Sequence, residues 1–306
     1  MNNDNINLWV VGSIGIDDIT TPKEARCNVL GGSVTHACAA ASFFTKVGAV
    51  GVVGSDFPHE YIERYQRLGI DLSGLQQQEG ATFRWSGVYE SDFINRRTLK
   101  TELGVFGDFK PELPPSYRAA PYVLLGNINP ELQEHLLAQV EGDPFVVADT
   151  MDLWINIARP ALNRVISRVD MVMLNDSEAR LLTRCHNLCN CASLILDMGP
   201  KYVVIKKGEH GAHLFTRDST SIIPAFPVAD VSDPTGAGDS FAGAFLGWLS
   251  RQNTIDIPQL RRGLCTGAVV AAYTVEAFGL ESLEQLTMGK IENRYQQLLS
   301  MIDIRA

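Results

Sequence analysis

The chain has 306 residues, 45% of them hydrophobic, with 26 Lys+Arg against 35 Asp+Glu and a formal net charge of −9. That length and apolar content suffice for one large or two small cores, and the acid excess repels the phosphate backbone that a nucleic-acid binder must neutralise, so no nucleic-acid partner is expected. No stretch approaches the uncharged apolar length of a membrane span, and the opening MNNDNINLWVVGS has neither a basic leader nor a long apolar run, so the protein is expected to stay off the membrane and in the cytoplasm.

In chain order, short β-branched runs alternate with segments of helical period: LWVVG, SVTHACAAASFFT, AVGVVG, then PHEYIERYQRL. This alternation predicts an α/β fold, a mostly parallel central sheet with covering helices. Between Thr82 and Leu103 the rhythm changes to period two, with Phe83, Trp85 and Tyr89 on one face and Thr82, Arg84, Ser86 and Val88 on the other. That pattern predicts an antiparallel hairpin projecting from the main sheet. Such a hairpin suits a lid that excludes water from a reaction site, or a face that packs on the body or on a second subunit.

The βα rhythm resumes with YVLLGN, PELQEHLLAQV, FVVAD, a helical stretch from about Leu153, DMVMLN, a helix from Asp176, and YVVIK. Several of these strands are apolar without alternation, as strands buried on both faces are. Cys185, His186, Cys189 and Cys191 fall within seven residues, a set soft enough for zinc, although residues 177 to 198 read mostly as helix and no second ligand pair lies nearby. Cys27, Cys38 and Cys265 read as ordinary reduced thiols. After YVVIK, the turn Lys206 to Gly211 leads into AHLFT and TSIIPA, two further strands. Helices follow from about Ala237 to Ser250, Pro258 to Glu276 and Thr287 to Met301. With no repeat, low-complexity segment or linker, residues 1–306 are expected to form a single domain.

The residues richest in chemistry are Asp233-Pro234-Thr235-Gly236-Ala237-Gly238-Asp239-Ser240, which open a helix. A glycine-rich turn at a helix N-terminus offers unpaired N–H groups and the positive end of the helix dipole to an anion. Gly236 and Gly238 lack the Cβ that would hold a phosphate away, and Asp239 in the first turn supplies a carboxylate beside it. This suits in-line phosphoryl transfer to a hydroxyl, Asp239 taking the proton and the amides of residues 236 to 239 stabilising the phosphoryl charge. A dinucleotide fingerprint fails because Phe241 holds the third glycine position, and no Walker A loop occurs. Gly238-Asp239-Ser240 also resembles the start of a serine-hydrolase block, but nucleophiles of that type precede their Asp and His, whereas Ser240 follows Asp56 and His59.

DPTGAGDSFAGAF is similar to the C-terminal signature of the PfkB carbohydrate kinases, the ribokinase-like group. Gly12-Ser13, Asp17, Gly31-Gly32 and Asn175-Asp176-Ser177-Glu178 fall in the order and approximate spacing of that family's other elements. The resemblance implies a ribokinase-like three-layer sandwich with a β-sheet lid, contributed by about residues 14–30 and 80–104. It implies Asp239 as catalytic base, Gly236, Ala237 and Gly238 as anion hole, and Asp17, Gly31, Gly32, His36 and Trp85 as acceptor-binding residues. For ATP it implies Asn175, Glu178, Lys206, Gly208, Gly211, Ala272, Val275 and Gly279. Glu178 would act on Mg²⁺ through water, and Asp233 and Gly279 lie near the family's monovalent-cation (K⁺) site.

Simpler roles stand beside these: Asn175 and Glu178 as a capping box, Asp17 as a turn residue, and Gly31 and Gly32 as a tight turn. Ser33-Val34-Thr35-His36 replaces the glycine and asparagine of ribose-type members. A sugar is the first expectation for the acceptor, by analogy with the family, and a nucleoside is the alternative. A non-catalytic sensor of sugar or nucleotide is a third reading, and a homodimer through the lid is the expected assembly.

Overall fold

The computed structural model describes residues 6–303. Strands β1 (Leu8–Val11), β4 (Val47–Gly54), β5 (Asp71–Gln78), β8 (Tyr122–Leu125), β9 (Phe145–Asp149), β10 (Met171–Asn175), β11 (Tyr202–Lys206), β12 (Ala212–Phe215) and β13 (Thr220–Ile223) form one sheet. Its order is β13-β12-β11-β10-β9-β8-β1-β4-β5. The seven strands from β11 to β5 run parallel, and β12 and β13 fold back antiparallel at one edge.

The apolar strands lack alternation because each face meets a separate core. In β1, Leu8 and Val10 join one core while Trp9 and Val11 join the other. In β10, Met171 and Met173 divide from Val172 and Leu174 in the same way. The first core is completed by the helices Ser33–Ala41, Ala237–Gln252, Ile257–Thr274 and Met288–Ile302, the second by Arg159–Ile166, Asp176–Thr183 and Leu188–Leu196. This is a three-layer sandwich. The three C-terminal helices begin and end within two residues of expectation.

A second sheet, of order β3-β2-β6-β7, stands apart from the first. It contains β2 (Gly15–Thr20), β3 (Ala25–Gly31), β6 (Phe83–Tyr89) and β7 (Arg96–Glu102). The expected hairpin is the antiparallel pair β6 and β7. The hairpin does not stand alone: β2 pairs in parallel with β6 and antiparallel with β3. Between Gly87↔Thr98 and Ser86↔Lys100, Leu99 is an extra residue, a bulge that bends β7.

The Ser33–Ala41 and Ala237–Gln252 helices lie almost backbone to backbone. A Cβ on Gly243 would stand 2.1 Å from the Ala37 carbonyl oxygen, so only glycine permits this approach. That contact sets the N-terminus of the later helix directly against the start of the earlier one. Among the described residues, no helix is long and apolar enough to cross a membrane.

Candidate active site

Asp149, Asn175 and Lys206 end the adjacent parallel strands β9, β10 and β11. In an open α/β sheet, ligands collect beyond these carboxyl ends. The Lys206 ammonium donates to Asp149 Oδ2 at 2.7 Å, and Asp149 Oδ1 accepts from the Thr150 N–H at 2.8 Å. Asp149 is buried and Lys206 largely so, and the ammonium of Lys206 also lies 3.2 Å from where a Cβ on Gly238 would be. Burial alone would lower the Lys206 pKa, but Asp149, Glu178 and Asp239 together raise it, so the group remains a cation.

Gly236 caps the Ala237–Gln252 helix with φ 76°, a left-handed conformation that glycine adopts without strain, and no side chain caps the free amides. Asp239 is half-buried in the first turn. Burial and the charge of Asp149 push its pKa up to about 6, against the pull of Lys206 and Arg96.

Glu178 and Asn175 form the capping box anticipated as the simple alternative. The Asn175 N–H donates to Glu178 Oε2 at 2.7 Å, and the Glu178 N–H donates to Asn175 Oδ1 at 2.8 Å. Burial, then Asp149, lift Glu178 to about 7, with Lys206 opposing. Capping and ligand binding are compatible, since the box occupies one carboxylate oxygen.

Asp17 sits in β2, buried, its carboxylate flat against Gly31, and is raised to about 7 by burial first and then by Asp233 and Asp18. Its register partner in β6 is Trp85, so the two project from the same face of the small sheet. The Trp85 ring lies across Gly87, its Nε1 donates to Thr98 Oγ1 at 3.1 Å, and the Arg96 guanidinium stands over it at 5.8 Å. Tyr89 and Thr235 join the small sheet to the glycine turn through their hydroxyls, 3.1 Å apart.

The structure thus brings Asp17, Gly31, Gly32, Gly236, Ala237, Gly238, Asp239, Asn175, Glu178 and Lys206 around one end of the sheet. His36 differs from expectation. It is only 1% exposed, with its ring packed beneath Gly236, and burial, then Arg64, push its pKa down to about 4, which keeps it neutral. Its imidazole therefore supports the turn from below.

Gly208 is exposed with nothing near it, while Gly211, at φ 81°, packs against the Ile223 carbonyl in the tight connection from β11 to β12. Ala272 is buried in its helix, and the Val275 carbonyl accepts from the N–H groups of Ser232 and Asp233. Gly279 is buried against Val29, with a left-handed backbone at φ 56°. Asp233 is fully buried. Its Oδ1 accepts from the Thr235 N–H at 2.9 Å, and its Oδ2 has no partner.

Two cavities, of about 340 Å³ beside Trp154 and Arg164 and about 200 Å³ beside Cys189 and Arg217, contain none of these residues. Cys191 turns inward, its thiol donating to the Cys185 carbonyl, and among the described residues no group of three or more His, Cys, Asp or Glu could hold a metal ion.

Sequence reasoning missed Asp149, Arg96 and the Tyr89 to Thr235 contact. Asp149 was within reach, as an acid at the carboxyl end of an apolar strand; Arg96 lies in the hairpin segment but carries no motif.

A family model described as pfkB family carbohydrate kinase matches residues 10–283. A cytidine kinase of Thermococcus kodakarensis is 31% identical over 260 residues, 82% of this chain and 91% of the relative. A nucleoside kinase of Methanocaldococcus jannaschii is 26% identical over 231 residues, 75% of this chain and 73% of that protein. The crystal structure of M. jannaschii nucleoside kinase, described as an archaeal member of the ribokinase family, superposes with a TM-score of 0.77 at 20% identity, covering 96% of this chain and 99% of that one.

Proposed function

The chain belongs to the pfkB family of carbohydrate kinases and is an ATP-dependent kinase with an alcohol group as acceptor, and we propose that this acceptor is a nucleoside. Family analogy pointed first to a sugar. The observation that carries the nucleoside reading is the extent of the likeness to a cytidine kinase, 31% identity over 91% of that enzyme. The site is consistent with it, because a nucleoside offers ribose hydroxyls to Asp17 and a planar base to the aromatic face that Trp85 shares with it.

In this reading Asp17 accepts hydrogen bonds from the acceptor, and the small sheet, the segments near 14–30 and 80–104, closes over it as a lid. Asp239 takes the proton of the attacking hydroxyl as the oxygen-to-phosphorus bond forms and ADP leaves. The amides of Gly236 to Asp239 receive the negative charge of the phosphoryl oxygens. Arg96, a lid cation that acts on both Asp17 and Asp239, favours their ionised forms. The oxygen donors of Glu178 and Asn175 fit hydrated Mg²⁺, which would neutralise phosphate charge. The unpartnered Asp233 Oδ2 supports a bound monovalent cation such as K⁺. The edge strand β7, exposed along its length, supports pairing with a second copy.

ADP release measured with a panel of nucleosides, pentoses and hexoses tests the reading. Pyrimidine or purine nucleosides should give the highest kcat/KM. A response confined to free sugars would return the protein to the sugar kinases, and binding without turnover would make it a sensor.

A further inference from the structure

We propose that Asp149 is a positioning residue for phosphoryl transfer, holding the Lys206 ammonium over Gly238 so that it completes the amide turn as the side-chain cation of the phosphoryl site. The inference rests on the kinase reading, with Asp239 as base. Its geometry begins with strand order: Met173 of β10 pairs with Asp149 of β9, and Asn175 of β10 pairs with Lys206 of β11. To meet Asp149, the Lys206 stem must cross the end of β10. It then keeps little of the rotamer freedom that a lysine side chain has in solution.

Asp149 is fixed in turn. One oxygen receives the Thr150 N–H at 2.8 Å and the other receives Lys206 at 2.7 Å, so it is not the group that accepts the proton of the attacking hydroxyl. What the pair fixes is the place of the ammonium, 3.2 Å from the absent Cβ of Gly238, where an oxygen bound to the turn's amides would also arrive. Stability alone does not account for the pair, because a buried ion pair roughly balances its own desolvation and an apolar replacement of similar volume is often as stable.

That last point supplies the test. Steady-state kinetics are measured with the acceptor the wild type uses best, for Asp149→Asn, Lys206→Met and the double variant Asp149→Leu with Lys206→Met. Asp149→Asn keeps the shape and a hydrogen-bond acceptor but loses the charge; its kcat should fall at least about tenfold with less than about threefold change in either KM. Lys206→Met should lose about a hundredfold or more in kcat, as when one preorganised donor is removed. The double variant should melt at or above the wild-type temperature yet be no faster than Lys206→Met, since Asp149 has nothing left to position.

Wild-type kcat in Asp149→Asn, or recovery of kcat in the double variant, would overturn the proposal and leave the pair merely structural. Should the double variant not fold, Asp149→Asn decides alone, its fold checked by circular dichroism. A wild-type protein silent with every acceptor overturns the kinase reading, a result distinct from an active wild type with an indifferent Asp149.

Discussion

A Cβ on Gly31 would stand 2.0 Å from Asp17 Oδ2 and 2.5 Å from its Cγ. The carboxylate proposed to bind the acceptor therefore rests where only hydrogen fits, and Gly31→Ala must push it aside. Gly31 has no left-handed backbone, so the alanine itself costs little. The expected outcome is a rise in acceptor KM of about tenfold or more, the loss of a hydrogen bond to a charged group, with ATP KM unchanged. Equal rises in both would mean that the substitution deforms the whole site.

Burial also makes Asp17 a cost to stability. In the folded chain its pKa is about 7 against an ordinary 3.8. Between those values the folded protein holds a proton that the unfolded chain has released, so stability from this group falls as pH rises through the window and is lowest above pH 7. Asp17→Asn should therefore stabilise the protein at pH 8, by up to a few kcal/mol, and progressively less toward pH 5, while weakening acceptor binding. Urea denaturation at both pH values measures this, and an equal gain at each would show that Asp17 does not titrate between them.

Asp239 must be ionised to act as a base, and with its pKa at about 6 the rate should decline on the acid side near that value. Asp239→Asn should lower kcat by about a thousandfold with little change in ATP affinity. Removing Arg96, which favours the ionised form, should move the acid limb to higher pH. An unmoved limb in Arg96→Ala would confine that residue to binding.

How far the fold was legible follows from where the physics is local. β1, β4 and β10 announced themselves because both faces are buried and every residue but the terminal Asn175 of β10 is apolar. β5 did not: DLSGLQQQ is an edge strand, half-exposed, and polar for that reason. β2 and β3 carry no periodic signal of their own, and only the family resemblance placed them in the lid, because the pairing of β2 with β6 joins residues nearly seventy apart, as in Gly15↔Phe83. The glycine turn was readable because one short segment holds both the amides and the carboxylate proposed as base. The Lys206 to Asp149 contact joins residues separated by 57 positions and exists only through the strand order β9-β10-β11. The burial of His36 likewise depends on the close approach of two helices, which no single segment encodes.

The same approach makes Gly236 the most sensitive position of the turn. A Cβ there would stand 2.2 Å from His36 Cγ and 2.4 Å from Nδ1, and the ring cannot retreat, because it is buried on its other sides. The left-handed backbone adds a cost of roughly 1–2 kcal/mol for any residue with a side chain. Gly236→Ala should lower the melting temperature and abolish detectable turnover, since the amides proposed to receive the phosphoryl group lose their common direction. His36→Ala removes the overlap but not the backbone strain, so the double variant should regain part of the stability and little of the activity. If the double variant regained activity fully, steric overlap rather than backbone conformation would be what shapes the turn; calorimetry and ADP release on the two variants separate these causes.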